Sequence, residues 1–132
     1  MSEKLRIGQT HAITRTVTPE LTAERFGNPG VSVFATPALV ALLEATAIEL
    51  ISPVLADDQG SVGTHVEVSH VAPTPAGMKI TARVELIEMD GRRMVFKVEA
   101  HDEIEQIASG SHERIIVNSM TKFVGRSKQK LV

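Results

Sequence analysis

One antiparallel sheet of about five strands curled round a single long buried helix, an α+β domain, is the fold this chain predicts. Three observations carry it: an apolar segment of helical character over residues 36–52, a period-two alternation from about residue 62 almost to the end, and one short strand-like segment ahead of both. The 132 residues suit one domain. With 42% hydrophobic against 23% charged residues, the chain can build a core and is no disordered tail.

Residues 9–18 are rich in Thr, Ile and Val and read as the first strand, after which Thr18-Pro19-Glu20 begins a turn or short helix. Gly27, Asn28, Pro29 and Gly30 then disfavour regular structure and make residues 26–32 a loop. The helix is expected to start at Thr36, a good N-cap followed by Pro37 at the first helical position, and to end near Ser52-Pro53. Its apolar residues fall on nearly every side of a 3.6-residue repeat, the pattern of a buried helix. Four strands follow near residues 62–72, 78–88, 92–101 and 106–119, with Asp90-Gly91 a tight-hairpin signal between the second and third. Ile80, Ala82, Val84 and Leu86 share one face of one strand, and Met94, Phe96, Val98 and Ala100 one face of the next. This order is the hotdog arrangement, over residues 1–120; residues 121–132, with Lys122, Arg126, Lys128 and Lys130, read as a loose basic tail.

Composition excludes several functions. A net charge of -2 removes the electrostatic case for nucleic acid. The absence of cysteine excludes disulfides, thiolate metal sites and a cysteine nucleophile, and makes the cytoplasm the expected location. His11, His65, His101 and His112 have no short ligand spacing, so no metal is expected. There is no glycine-rich phosphate loop and no Gly-x-Ser-x-Gly turn. The most apolar stretch is interrupted by Glu44 and Glu49, which argues against a membrane span.

Three polar residues are out of place. Glu44 has only Pro37, Val40, Ala41, Ala47, Ile48 and Ile51 as its helical neighbours, so its carboxylate is expected to be paired with a donor or poised to titrate. Glu49 points elsewhere and is the solvent-facing control. His70 shares strand parity with Val62, Val66 and Val68 and is expected to point inward, as a satisfied core histidine or as a proton carrier working with Glu44. Thr36 is explained by capping alone, or it places a hydroxyl at a helix N-terminus where an incoming carbonyl would sit. Lys79, Arg83, Arg92, Arg93 and Arg114 read either as solvated strand faces or as ligands for a carrier's phosphates.

Ala35-Thr36-Pro37 with Glu44 eight residues later, Gly63-Thr64-His65-Val66, Val68-Ser69-His70, Thr74-Pro75-Ala76-Gly77, Gly91-Arg92-Arg93, Ala100-His101-Asp102 and Gly110-Ser111-His112-Glu113-Arg114 occur in that order. In these blocks the chain resembles hotdog-fold thioesterases of the fluoroacetyl-CoA thioesterase type, over about residues 5 to 120. The resemblance implies hydrolysis of a short-chain acyl-CoA thioester without a cofactor, with Thr36, Glu44 and His70 as the catalytic set. It implies the backbone N–H of Gly63 as oxyanion donor, Arg114 as a CoA contact, and a homodimer or higher homo-oligomer. Phe34 is expected beside the acyl group. The loop at residues 26–31 lacks the aromatic lid residues of fluoroacetyl-selective members, which suits a different or broader short acyl group. A non-catalytic acyl-CoA binding or sensing protein is the alternative, and a hotdog hydratase a third reading.

Overall fold

A computed structural model describes residues 4–132. The sheet contains β1 (Thr10–Thr16), β2 (Gly60–His70), β3 (Lys79–Asp90), β4 (Arg93–His101) and β5 (Gln106–Val117), all antiparallel, in the order β1-β3-β4-β5-β2. The helix α1 (Thr36–Ile51) touches β1 and β2 at opposite edges as well as β3 and β4 between them, so the sheet wraps round it. This is the expected hotdog architecture. Ile80, Ala82, Val84 and Leu86 of β3 meet Met94, Phe96, Val98 and Ala100 of β4 across the inner face, all fully buried, with Leu39, Leu43, Ala47 and Ile51 of α1 above them.

The helix is buried on this side only. Ala41 and Ile48 lie exposed on its opposite side, and Val40, Glu44 and Ala45 are half-buried. The apolar residues that made the segment look buried all round therefore divide into a core stripe and an uncovered stripe.

Three expectations shift by a residue or an element. The N-cap of α1 is Ala35, whose carbonyl accepts from Leu39 at 2.9 Å, and Thr36 and Pro37 are the first two helical residues. Thr36 makes no capping bond. The tight turn between β3 and β4 is closed by the pair Asp90 and Arg93, leaving Gly91-Arg92 at its tip with Gly91 at φ 61°. Finally, the C-terminal segment is not a loose tail but a helix, α2 (Met120–Lys128), ended by a short 3₁₀ turn over Gln129–Leu131. Ser119 caps it, accepting from Lys122 N–H, while Asp58 accepts from the Thr121 N–H and hydroxyl at 3.0 and 2.8 Å. The Ser119 hydroxyl also donates to Asp58 Oδ2 at 2.8 Å, and this bond, followed by those from Thr121, holds the Asp58 carboxyl below its ordinary range.

In β2 the pairing with β5 slips between Gly63 and His65, so Thr64 is an extra residue bonded through its hydroxyl to Glu113. The bulge exchanges the faces: beyond it Val66, Val68 and His70 point inward as expected, but before it the inward residue is Gly63 and not Val62. A Cβ at Gly110, opposite Val68 on β5, would overlap the Glu67 carbonyl oxygen. Gly110→Ala is therefore expected to destabilise the protein by about 1–3 kcal/mol, as overpacking does, and denaturant unfolding checks this.

Candidate active site

Thr36 and His70 meet where the start of α1 passes the end of β2. The Thr36 hydroxyl lies 2.8 Å from His70 Nδ1. Phe34, itself buried, presents its ring edge to the imidazole at a centroid distance of 6.3 Å and an interplanar angle of 73°. Burial pushes the His70 pKa down, opposed by the Ala72 backbone. The imidazole is thus neutral around pH 7, and if Thr36 donates to Nδ1 the proton sits on Nε2. That nitrogen is buried and has no hydrogen-bond partner among the described residues. An unpaired buried donor costs about 1–3 kcal/mol, so its presence calls for a missing acceptor. The pair opens on a cleft of about 310 Å³ lined by Asn28, Val31, Val33, Phe34 and Ala72.

Glu44 belongs to a different cluster. Its carboxylate accepts from Arg114 Nη1 at 3.1 Å and remains 39% exposed, so it is paired, as one of the two expectations held, but not desolvated. Arg114 is almost wholly buried. Its Nε and Nη2 donate to the Ser61 hydroxyl and carbonyl at 3.0 and 2.9 Å, and Nη1 also reaches His112 Nε2 at 3.2 Å. The buried guanidinium, held by Ser61 and His112, orients Glu44. Of the other basic residues, Arg83 pairs with Glu99, and Arg93 with Glu88 and Glu113, on the outer face.

His112 is the residue that the sequence reading missed. It is fully buried, and the His65 carbonyl at 2.8 Å can only accept, so Nδ1 carries the proton and Nε2 offers its lone pair to Arg114. Burial, seconded by the Arg114 charge, pushes its pKa down against the pull of the His65 carbonyl and of Glu44 and Glu113. The hairpin register held the signal: His112 and Arg114 face Phe96 and Met94, which are core residues.

Gly63 completes this cluster because a side chain there would not fit. A Cβ at Gly63 would come within 2.5 Å of Glu44 Oε2 and 3.2 Å of His112 Cε1. The carboxylate lies directly against the Gly63 backbone, in a hollow also lined by Thr64, His65 and Val66.

The two clusters do not touch. Thr36 and Glu44 are separated by eight residues of one helix, a rise of about 12 Å. Gly63, beside Glu44, and His70 are seven residues apart on β2, on the order of 20 Å at about 3.3 Å per residue. Glu44 and His70, expected to work together, therefore do not meet within one chain: His70 ends β2, while Glu44, on α1, lies beside Gly63 toward the start of that strand.

A sheet curled round one helix, with a threonine–histidine pair at one point of it and a carboxylate against a strand glycine at another, places the chain in the hotdog class. The comparisons narrow this. The family described as FlK, fluoroacetyl-CoA-specific thioesterase, matches residues 17–120, and the chain belongs to that family. It is 40% identical over 98 residues to the fluoroacetyl-CoA thioesterase of Streptantibioticus cattleyicolor, covering 74% of this chain and 70% of that one. A crystal structure of the fluoroacetyl-CoA thioesterase FlK superposes with a TM-score of 0.91 at 34% identity, covering 97% of this chain and 98% of the other. A thioesterase superfamily member from Thermus thermophilus superposes with a TM-score of 0.86 at 27% identity, covering 96% and 93%.

Because the atom nearest a Gly63 Cβ is the end of a flexible side chain, Gly63→Ala is expected to fold with nearly native stability while the Glu44 carboxylate swings away. Thermal unfolding together with the thiol-release rate checks this. Native-like melting with activity lost by about 10-fold or more is expected, since placement to within about 1 Å controls rate.

Proposed function

We propose that the protein hydrolyses short-chain acyl-CoA thioesters to the free acid and CoA, at a Thr36, Glu44 and His70 site assembled from two copies of the chain. The observation that carries this reading is the partnerless, buried Nε2 of His70 at one end of an exposed edge strand, with the Glu44 carboxylate at the other end. With Thr64 the extra residue of the bulge, Gly63 and His70 are equidistant from one point on β2, at Glu67. A two-fold axis through that point, pairing β2 with its copy, sets His70 opposite the partner subunit's Gly63 and hence near the partner subunit's Glu44. The same pairing removes the open edge of β2 and covers the 41%-exposed Val66.

In the site so formed, the Thr36 hydroxyl donates its proton to His70 Nδ1 and its oxygen attacks the thioester carbonyl carbon. The partner subunit's Glu44 accepts from Nε2 and stabilises the imidazolium. The tetrahedral oxyanion is met by the N–H of the partner subunit's Gly63, a donor worth about 10²–10³ in rate when such sites are probed. As the carbon–sulfur bond breaks, the imidazolium returns its proton to the departing sulfur, giving CoA thiol and an acyl ester on Thr36. Water then attacks that ester by the same proton route and releases the acid. The alternative, direct attack by water activated by His70, uses the same groups and ends in the same products.

The acyl pocket is the cleft beside Phe34. The loop at its wall contributes Asn28 and Val31, and Phe26 is 51% exposed and absent from the lining. This supports a broader range of short acyl groups than fluoroacetyl alone.

Free-thiol release from acetyl-, fluoroacetyl- and longer acyl-CoAs tests the function. Turnover by the native protein is expected, with Glu44→Gln and His70→Ala each lowering it by about 10²–10⁴. Binding of the esters with no release from any of them would indicate an acyl-CoA binding protein instead. The pH profile is a separate check. Burial in the single chain lowers the His70 pKa, whereas the partner subunit's Glu44 at Nε2 favours the imidazolium, so the acidic limb of the activity profile is expected to lie at lower pH in Glu44→Gln than in the native protein. Stability is expected to follow His112, whose buried neutral ring contributes fully above about 6.5 and loses that contribution as pH falls toward its lower folded-state value.

A further inference from the structure

One partly buried pair joins the loop after His70 to the turn between β4 and β5, and the reaction above leaves it unused. Thr74 is fully buried and its hydroxyl donates to Asp102 Oδ2 at 2.8 Å. The other oxygen of Asp102 accepts from the backbone N–H groups of Ile104 and Glu105 at 2.8 and 2.9 Å, so the carboxylate is fixed by the turn it organises. On its other side, Thr74 offers its carbonyl to the N–H of Phe34 at 2.8 Å, and Val33 bridges to Pro75. Phe34 packs on the imidazole of His70 and stands two residues before Thr36. The route from Asp102 to the reacting hydroxyl thus consists of two hydrogen bonds and a short, locally anchored length of chain.

We propose that Thr74 and Asp102 are positioning residues for the Thr36–His70 pair, clamping the segment that carries Phe34 and Thr36 against the end of β2. The proposal rests on the thioesterase reading for the chemistry it serves. A valine would fill the space of Thr74 but leave Asp102 Oδ2 short of a donor, and a carboxylate acceptor makes this bond stronger than a neutral one would. Burial alone would raise the Asp102 carboxyl, and the N–H bonds of Ile104 and Glu105 together with the Thr74 hydroxyl outweigh it and hold the group below its ordinary value. The anchor therefore stays ionised while His70 titrates. It also accounts for two motifs, Thr74-Pro75-Ala76-Gly77 and Ala100-His101-Asp102, that lie outside the catalytic set.

The test compares Thr74→Val, Thr74→Ser and Asp102→Asn with the native chain in three readouts: kcat and KM per folded protein, melting temperature, and the NMR titration of the His70 imidazole. Thr74→Val and Asp102→Asn are expected to lower kcat by about 10- to 100-fold, with KM changed less than about threefold. Both are expected to move the His70 titration, and Thr74→Ser, which keeps the hydroxyl, to restore both readouts. A merely structural pair would lower the melting temperature while leaving kcat per folded protein and the His70 titration native, and that result overturns the proposal. Should Thr74→Val not fold, Asp102→Asn decides on the same readouts. Should the native chain release no thiol, the thioesterase reading fails, and the His70 titration alone still decides whether the clamp positions the imidazole.

Discussion

The rise of one rigid helix and the length of one strand govern everything functional in this chain. Thr36 begins α1 and Glu44 lies two turns along it. His70 ends β2 and Gly63 lies near its start. No rotamer change closes a gap of about 12 Å along a helix axis or about 20 Å along a strand. The chain therefore holds a threonine–histidine pair and a paired carboxylate that do not meet within it. Each half is built to a finished geometry: one by the clamp under Phe34, the other by Arg114 and His112 beneath Glu44.

The second half explains why ionic groups lie under this sheet at all. A pair between buried Arg114 and a 39%-exposed Glu44 adds little net stability, on the order of 0–1 kcal/mol after solvent screening. Its effect is directional. Arg114 is anchored by Ser61 and by the lone pair of a neutral His112, whose own proton is committed to the His65 carbonyl. With Nε and Nη2 donating to Ser61 and one Nη1–H to His112, the other Nη1–H is directed at Glu44 against the backbone of Gly63.

Much of the architecture was legible in the residues because burial and period coincide. The alternation in β3 and β4 and the apolar run of α1 each have one physical explanation, a face turned to the core. Glu44 and His70 were legible as residues because each breaks such a pattern. Their distance apart was not, since periodicity reports which face a residue takes and not how far along the element its partner lies. The bulge at Thr64 hid the inward direction of Gly63, because an extra residue inverts parity without any change in composition. Thr36 was misread as a cap because a threonine before proline satisfies the capping rule, whereas here the hydroxyl is engaged by a histidine 34 residues away. The C-terminal helix α2 is hard to read from the residues because it is mostly polar and basic, with few apolar side chains to mark its amphipathic face, and its anchor, Asp58, is distant in sequence.

The open edge of β2 and the buried His70 Nε2, which has no partner among the described residues, are two separate deficits, and we propose that one two-fold contact removes both. That is the central claim, and mixing two inactive variants tests it most directly. His70→Ala and Glu44→Gln chains, refolded together, form heterodimers with one intact composite site and one doubly defective site. Thiol release should then recover to about one quarter of the native rate, since about half of the dimers are mixed and each holds one working site of two. If instead each chain carried its own complete site, every site in the mixture would lack one group, and activity would stay at the level of the separate variants.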